Sequence, residues 1–491
     1  MLQLKYGLVY VLILACVVSL ISCDGSQKEK KEEPVTDNDF ITISPDYNRY
    51  FQTSEGKTWI PVMINYIMPD GEEREVFKSV DRYFKSFSEV GGNAVRIWIS
   101  SPFLEIEDKQ MGAYSQNKLA RIDTLLAIAK RYNIRIKFTL QHIRSISAES
   151  EDNNRWSNSD VLAVKNGQGF NNILEYITTP EGKAAYLNRV EVLADRYRMN
   201  PQIFCWELWN EMDAVDGVKW LPFTSEILDS VKMLFPHQLV VQTLGSLHSI
   251  DAEHRYLDLF QLPNNEYLNV HRYLDPGSAW GQYDQVRQPA DLIASTAVQF
   301  AYEKGAQLPV LMNEIGAVQG NHTGPSELYA KDTLGVLLHD MVYAPYFSGA
   351  AGCGAMWHWN VYLDRQNLWW HYQRLTEVIT LFDPVAEQFD PFYAIRDDLR
   401  IYGLKGKQHT LLWCRDGRNS WQSELVEELK PKPREGVTLT LADIQVAEKQ
   451  IVKTYDPWKG VWTKIFVTDG EITLPQFSRS LIVVLEHGSI N

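Results

Sequence analysis

Basic charge is in short supply. Lys and Arg number 48 against 62 Asp and Glu in 491 residues, which leaves a net charge of −14. A nucleic-acid partner requires a basic face for phosphate contacts, so this composition excludes that class. Cysteine is scarcer, at 5 residues. Beyond the N-terminal stretch only Cys205, Cys353 and Cys414 remain, at spacings that suit neither a disulfide framework nor a metal site. They read as small buried hydrophobes. No His, Cys and carboxylate cluster has metal-ligand spacing, no Ser sits in a nucleophile elbow, and no solenoid repeat is visible. Zinc and thiol catalysis find no support, and neither a metal nor a cofactor is expected.

One long hydrophobic run stands at the N-terminus. Lys5 precedes "GLVYVLILACVVSLIS", which ends just before Cys23. The run is too short and wrongly flanked for a membrane span and reads as a signal peptide over residues 1–22. "LISC" (Leu20 to Cys23) resembles a bacterial lipobox, which implies cleavage before Cys23 and lipid on its thiol. The charged stretch that follows lacks apolar periodicity and reads as a flexible tether over 23–40. The expected location is the envelope of a Gram-negative bacterium, with the membrane met only through that anchor.

From residue 59 to about 360, short apolar runs alternate with helical patterns. The runs are 59–67, 94–100, 134–142, 203–211, 239–245, 267–273, 308–316 and 349–360. Their near-continuous apolar character suits parallel strands covered on both faces. Between them lie amphipathic stretches such as 72–92, which ends in a Gly pair suited to a helix C-cap. Eight such units predict an α/β (β/α)8 TIM barrel over 41–390. A doubly wound open sheet is the alternative, but it usually has fewer strands, and no Gly-rich phosphate loop follows the first run. Ahead of the barrel, "RYFQTSEGKTWIPV" predicts a hairpin turning at Glu55-Gly56-Lys57 and closing the barrel floor. Over 391–491 the texture changes to short strands split by Gly, Asp and Pro turns, which predicts a small all-β sandwich.

In a parallel barrel, functional residues gather at the C-terminal ends of the strands. Those ends carry Arg96 and Trp98, then Gln141 and His142, then Asn210 and Glu211. Later ends carry His271 and Tyr273, then Asn313 and Glu314, then Trp357, His358, Trp359 and Asn360. What stands out is two carboxylates, Glu211 and Glu314, ringed by His, Tyr, Arg and Trp.

An Asn-Glu pair ending strand 4 and a Glu ending strand 7 resemble glycoside hydrolase clan A, most closely its family 5, over about residues 41–390. "WELWNE" is similar to the strand-4 sequence of β-mannanases. Met212, where many members have Pro, and "NEIGA" in strand 7 depart from the commoner pattern and bear on the sugar recognised. The resemblance implies a retaining β-glycosidase acting on β-linked poly- or oligosaccharide, with mannan-type substrates foremost. It implies Glu314 as nucleophile, Glu211 as acid/base, and Arg96, His142, Asn210, His271, Tyr273 and Trp359 as substrate-binding residues. A retaining pair stands about 5–5.5 Å apart. Repulsion from an ionised Glu314 is expected to raise the pKa of Glu211 and keep it protonated. Two other readings share the barrel: a lipid-anchored glycan-binding protein without turnover, and a transglycosylase.

Several assignments have a competitor. Gln141 competes with His142, and Trp357 with Trp359. Trp369-Trp370 and Trp156 read equally as sugar platforms or as core. Loop 143–172 and the stretch after strand 8 are read as walls of a short cleft. The sandwich either binds carbohydrate, through "YDPWKGVW" (455–462), or braces the barrel. On a strand, Glu207 and Glu211 share a face about 13 Å apart, too far for a retaining pair. Glu207, deeper in the barrel, is expected to be a structural brace paired with a buried Arg or a Trp N–H.

Overall fold

The computed structural model describes residues 39–148, 157–165, 167–277, 284–440, 450–468 and 470–487. The signal peptide, Cys23, nearly all of the tether and Trp156 lie outside them.

The barrel strands are Met63–Asn65, Ala94–Trp98, Arg135–Thr139, Ile203–Glu207, Leu239–Val241, Leu268–Leu274 and Val310–Ala317. The first five form one parallel sheet and the last two pair in parallel. The eighth run joins them through isolated parallel bridges, Met356 with both Ile64 and Ile315. Small residues explain this looser closure: Gly352 packs on the Pro61 backbone and Gly354 on that of Met341, where a β-carbon would collide. Between strands 5 and 6 the ring is completed by the backbone bonds Glu266 N–H to Val240 O and Leu247 N–H to His271 O. The fold is the (β/α)8 barrel that the alternation predicted, followed by an all-antiparallel β domain.

At least one helix follows each strand position among the described residues, from Glu73–Glu89 after the first to Trp370–Ile379 after the eighth. The first ends as the Gly pair foretold. Gly91 takes φ +85° and donates to Ser88 O, while Gly92 donates to Phe87 O, a Schellman closure that satisfies the last carbonyls. Ser115 and Thr179 cap their helices through Lys118 N–H and Gly182 N–H.

The predicted hairpin forms, with Phe51–Thr53 pairing Thr58–Trp59 and Gly56 at φ +85°. Its Trp59 meets Phe204 at 5.0 Å and its Phe51 meets Tyr267 at 5.2 Å, so aromatic rings plug the barrel floor. Asp39 and Phe40, expected in the tether, belong to this floor: Asp39 accepts from Arg135 at 2.5 Å, and Phe40 is buried. Cys205, Cys353 and Cys414 are buried free thiols, as expected of small hydrophobes.

Two register shifts matter for the site. Strands 6 and 7 pair Val270 with Met312 and then His271 with Glu314, so Asn313 is an extra residue. Strands 3 and 4 slip likewise, leaving Phe204 over. A bulge lets consecutive side chains reach the same face, which strict alternation forbids.

The C-terminal domain opens at Asp390, one residue before the expected boundary, with a six-stranded antiparallel sheet. On one face of that sheet, Leu399, Ile401, Leu412, Cys414, Leu481, Val483 and Leu485 pack with Leu439 and Ile472 of a three-stranded sheet to form an apolar layer. The other face of the large sheet presents Tyr402, Leu404, Leu411, Trp413, Ile482 and Val484, which share one continuous core with the barrel helices.

Candidate active site

Arg96 organises the upper interior of the barrel. Its side chain is fully buried, so its charge must be met by acceptors. Nε and Nη2 donate to the two oxygens of Glu207 at 2.8 and 2.6 Å. Nη2 also donates to Asn210 Oδ1 at 2.7 Å, and Nη1 donates to Asn65 Oδ1 at 3.0 Å and to Glu314 Oε1. One planar fork therefore ties strands 1, 2, 4 and 7 together.

Glu207 is the brace that its depth implied. Besides Arg96 it accepts from Thr243 Oγ1 at 2.7 Å and pairs with Lys137 Nζ at 3.1 Å. Burial pushes its carboxyl up, but Arg96 and Lys137 outweigh burial and hold it at about 2. Strand 4 stops at this residue rather than at Glu211, as its pairing with strand 5 ends at Val241. Glu211 instead adopts the left-handed region (φ 50°, ψ 57°) at the start of a short 3-10 turn, Met212–Ala214. The strand spacing foreseen for Glu207 and Glu211 therefore does not apply.

Glu314 is nearly enclosed, its side chain 4% exposed, whereas that of Glu211 is 21% exposed. Tyr273 donates to Glu314 Oε2 at 2.7 Å, beside the Arg96 bond to the other oxygen. Glu211 takes His271 Nδ1 at 3.1 Å on one oxygen and Arg144 Nη2 at 3.2 Å on the other. His271 Nδ1 also stands 3.5 Å from Glu314 Oε2. Burial pushes the Glu211 carboxyl up, yet His271, Arg144 and His322 pull it down to about 2. The expected rise is thus reversed, because the hydrogen bond from His271 and the charge of Arg144 outweigh burial.

The ligand atoms of Glu211, His271 and Glu314 lie within 4.8 Å of one another, a spacing that a cation could use. Arg96 and Arg144 already pair with those two carboxylates, so a cation there would face two positive groups.

His142 stacks on Trp98 at 4.8 Å and shares a 2.6 Å hydrogen bond with Ser100 Oγ. Its competitor Gln141 is tied to the backbone, accepting from His142 N–H and Ile143 N–H. Trp359 departs from the expected sugar floor. It stacks on Tyr66 at 4.3 Å and meets Tyr83 edge-on at 4.6 Å, inside the apolar core. Trp357, half-buried, packs 5.2 Å from Trp98 beside the site. Trp369 packs on Phe87 and Tyr83, and Trp370 on His371 and Trp458, so both pack within the protein.

Sequence reasoning missed Arg144, Lys137, Asn65 and Thr243. Lys137 had a signal: a lysine inside the apolar run "IRIKFTL" must find buried acceptors. Arg144 sits in a loop with no periodicity, and only the folded chain brings it to Glu211.

No family model matches the chain. It is 23% identical over 210 residues to mannan endo-1,4-beta-mannosidase 1 of Oryza sativa subsp. japonica, covering 38% of this chain and 44% of that protein. It is 23% identical over 332 residues to probable mannan endo-1,4-beta-mannosidase F of Aspergillus oryzae (strain ATCC 42149 / RIB 40), covering 60% and 63%. The chain therefore spans less than two thirds of either relative. Among solved structures, a glycoside hydrolase superposes with a TM-score of 0.58 at 12% identity, over 92% of this chain and 98% of that one. A glycoside hydrolase family 5 protein from Bacteroides vulgatus ATCC 8482 gives 0.57 at 12% identity, over 93% and 95%. At such identities the likeness establishes the fold, and its coverage extends the likeness to the C-terminal domain.

Proposed function

We propose that this protein is a retaining β-glycoside hydrolase that cleaves β-linked poly- or oligosaccharide, with β-mannan as the first substrate class to try. The observation that carries this reading is the approach of Glu211 and Glu314, whose nearest ligand oxygens lie within 4.8 Å. Retaining enzymes hold their carboxyls about 5–5.5 Å apart, whereas inverting ones leave about 6.5–9.5 Å for a water. The mannosidase relatives favour the substrate class.

In this reading Glu314 attacks the anomeric carbon as the bond to the leaving oxygen breaks. Arg96 and Tyr273 hold one oxygen each, which aims the carboxylate. Glu211, the more exposed of the two, gives its proton to the leaving oxygen and then takes one from the water that hydrolyses the glycosyl-enzyme. Its contact with Arg144 must loosen when sugar enters, so that the carboxyl can be protonated. Asn210, oriented through Oδ1 by Arg96, keeps its amide N–H groups for the sugar 2-hydroxyl. His142 on Trp98, and Trp357, line the place of the ring.

Glu314→Ala and Glu211→Ala should each lower turnover on an unactivated β-mannan by at least about a thousandfold. Azide should restore Glu211→Ala on an aryl glycoside with a good leaving group. Near-normal turnover by either variant would remove the assignment. A wild-type protein that binds a glycan but releases no sugar would favour the binding-only reading, and product analysis would reveal transfer to another sugar. We also propose lipid anchorage through Cys23 at a Gram-negative envelope, supported by the "LISC" motif. Cys23→Ala should abolish incorporation of labelled palmitate; unchanged labelling would exclude that anchor.

A further inference from the structure

We propose that Lys137, buried beneath the site, is a positioning residue that fixes the tautomer of His271 through Asn313. The catalytic consequence rests on the glycosidase reading above; the tautomer itself does not.

The Lys137 side chain is fully buried, with Nζ 2.8 Å from Asn269 Oδ1, 2.8 Å from Asn313 Oδ1 and 3.1 Å from Glu207 Oε2. An ammonium has three hydrogens and no lone pair, so these three acceptors satisfy it fully. Both asparagines must therefore turn oxygen, not nitrogen, toward it. Asn269 does so and leaves its Nδ2 without a hydrogen-bond partner among the described residues.

With Oδ1 held by Lys137, the Asn313 amide nitrogen faces His271 Nε2 at 2.8 Å. That nitrogen only donates, so Nε2 must present its lone pair. A neutral imidazole has one hydrogen, which then belongs on Nδ1. Nδ1 is the atom beside Glu211 Oε1 at 3.1 Å and Glu314 Oε2 at 3.5 Å. The bulge at Asn313 is what lets Asn313 and Glu314, adjacent in sequence, reach Lys137 and the mouth from one strand.

The consequence concerns the proton on the acid/base. In the other tautomer, Nδ1 would offer a lone pair about 3 Å from Glu211 and compete with the leaving oxygen for its proton. The Lys137–Asn313 pair removes that competitor and keeps a donor on the carboxylates in both halves of the reaction.

Long-range proton–nitrogen correlation spectra of the full-length protein, 15N-labelled at histidine, read the tautomer directly. The His271 signal is assigned by its loss in His271→Gln. The wild type should show hydrogen on Nδ1. Lys137→Met should move it wholly or partly to Nε2 and lower kcat at least tenfold with KM within about twofold. Asn313→Asp keeps an acceptor for Lys137 but offers oxygen to Nε2, so it should draw hydrogen there; it decides the matter should Lys137→Met not fold. An Nε2–H wild type, or variants that keep the wild-type tautomer and kcat, would overturn the inference. A confirmed tautomer in a wild type that cleaves no β-glycoside would instead overturn the glycosidase reading and leave this one standing.

Discussion

Every N–H of Arg96 is engaged, and this makes the residue irreplaceable in a way that charge alone does not explain. Lysine would keep the charge but offers three hydrogens from one point, so it cannot bridge Glu207, Asn210, Asn65 and Glu314 at once. Arg96→Lys should destabilise the fold by about 3–5 kcal/mol in urea unfolding, as expected for a broken buried pair. It should also reduce kcat/KM by at least about a hundredfold, since Glu314 loses its aim. Glu207 gives a companion test in pH. Its carboxyl is held at about 2 against an ordinary 4.5, so its ionised form stabilises the fold above about pH 4.5, and that contribution is lost as pH falls toward 2. Glu207→Gln should flatten the stability curve in that window, with lower stability at neutral pH.

Elements decide which of these residues were legible. The eight-fold alternation, the Gly91 closure and the Glu55-Gly56-Lys57 turn are local signals, and each formed where the residues required. Asn313 and Glu314 reach one face only because of a bulge, and Glu211 leaves its strand in the left-handed region. A period-two reading sees neither, so it places the two glutamates at the mouth yet misjudges the chain between Glu207 and Glu211. The tryptophans after the eighth strand show the same limit. Alternation gives Trp357 and Trp359 one face, but residues 359–364 coil into a π-helical turn that sends Trp359 into the core. The two should therefore separate experimentally. Trp359→Ala should cost about 3–5 kcal/mol of stability, as for other large core truncations. Trp357→Ala should cost much less stability while raising KM or lowering kcat on oligosaccharides. Equal stability losses with unchanged kinetics for Trp357→Ala would exclude a sugar-facing role.

At the scale of the molecule, the C-terminal sheet is bound to the barrel by buried polar chemistry as well as by apolar area. Helix Val336–Phe347 is buried at all its positions, which favours bracing as the role of the sheet that covers it. Asp291 meets Arg400 and Tyr402, and Asp340 meets Arg415. Beside them runs a neutral chain. His371 Nε2 donates to Leu334 O at 2.9 Å, so its Nδ1 accepts from His339 Nδ1 at 3.3 Å. His339 Nε2 then accepts from Ser480 Oγ at 2.7 Å, and Ser480 accepts from Trp458 Nε1 at 3.0 Å. A second proton on either imidazole would break this sequence. Burial holds His371 at about 3 and His339 well below its ordinary value. The sign follows from linkage. Above about pH 6.5 both states of the protein leave these rings neutral; below it the unfolded chain takes up protons that the folded one refuses. Each histidine then removes about 1.4 kcal/mol of stability per pH unit. Asp340, raised to about 6 chiefly by burial, works oppositely between about pH 6 and 4, because there the folded state binds the extra proton. His371→Leu should therefore lower stability at pH 8, where Leu334 O loses its donor. It should also reduce the acid slope between about pH 6 and 4 by about 1.4 kcal/mol per unit in stepped-pH urea titrations. An unchanged slope would show that His371 takes up a proton inside the folded interface, and that the chain joining barrel and sheet is not neutral.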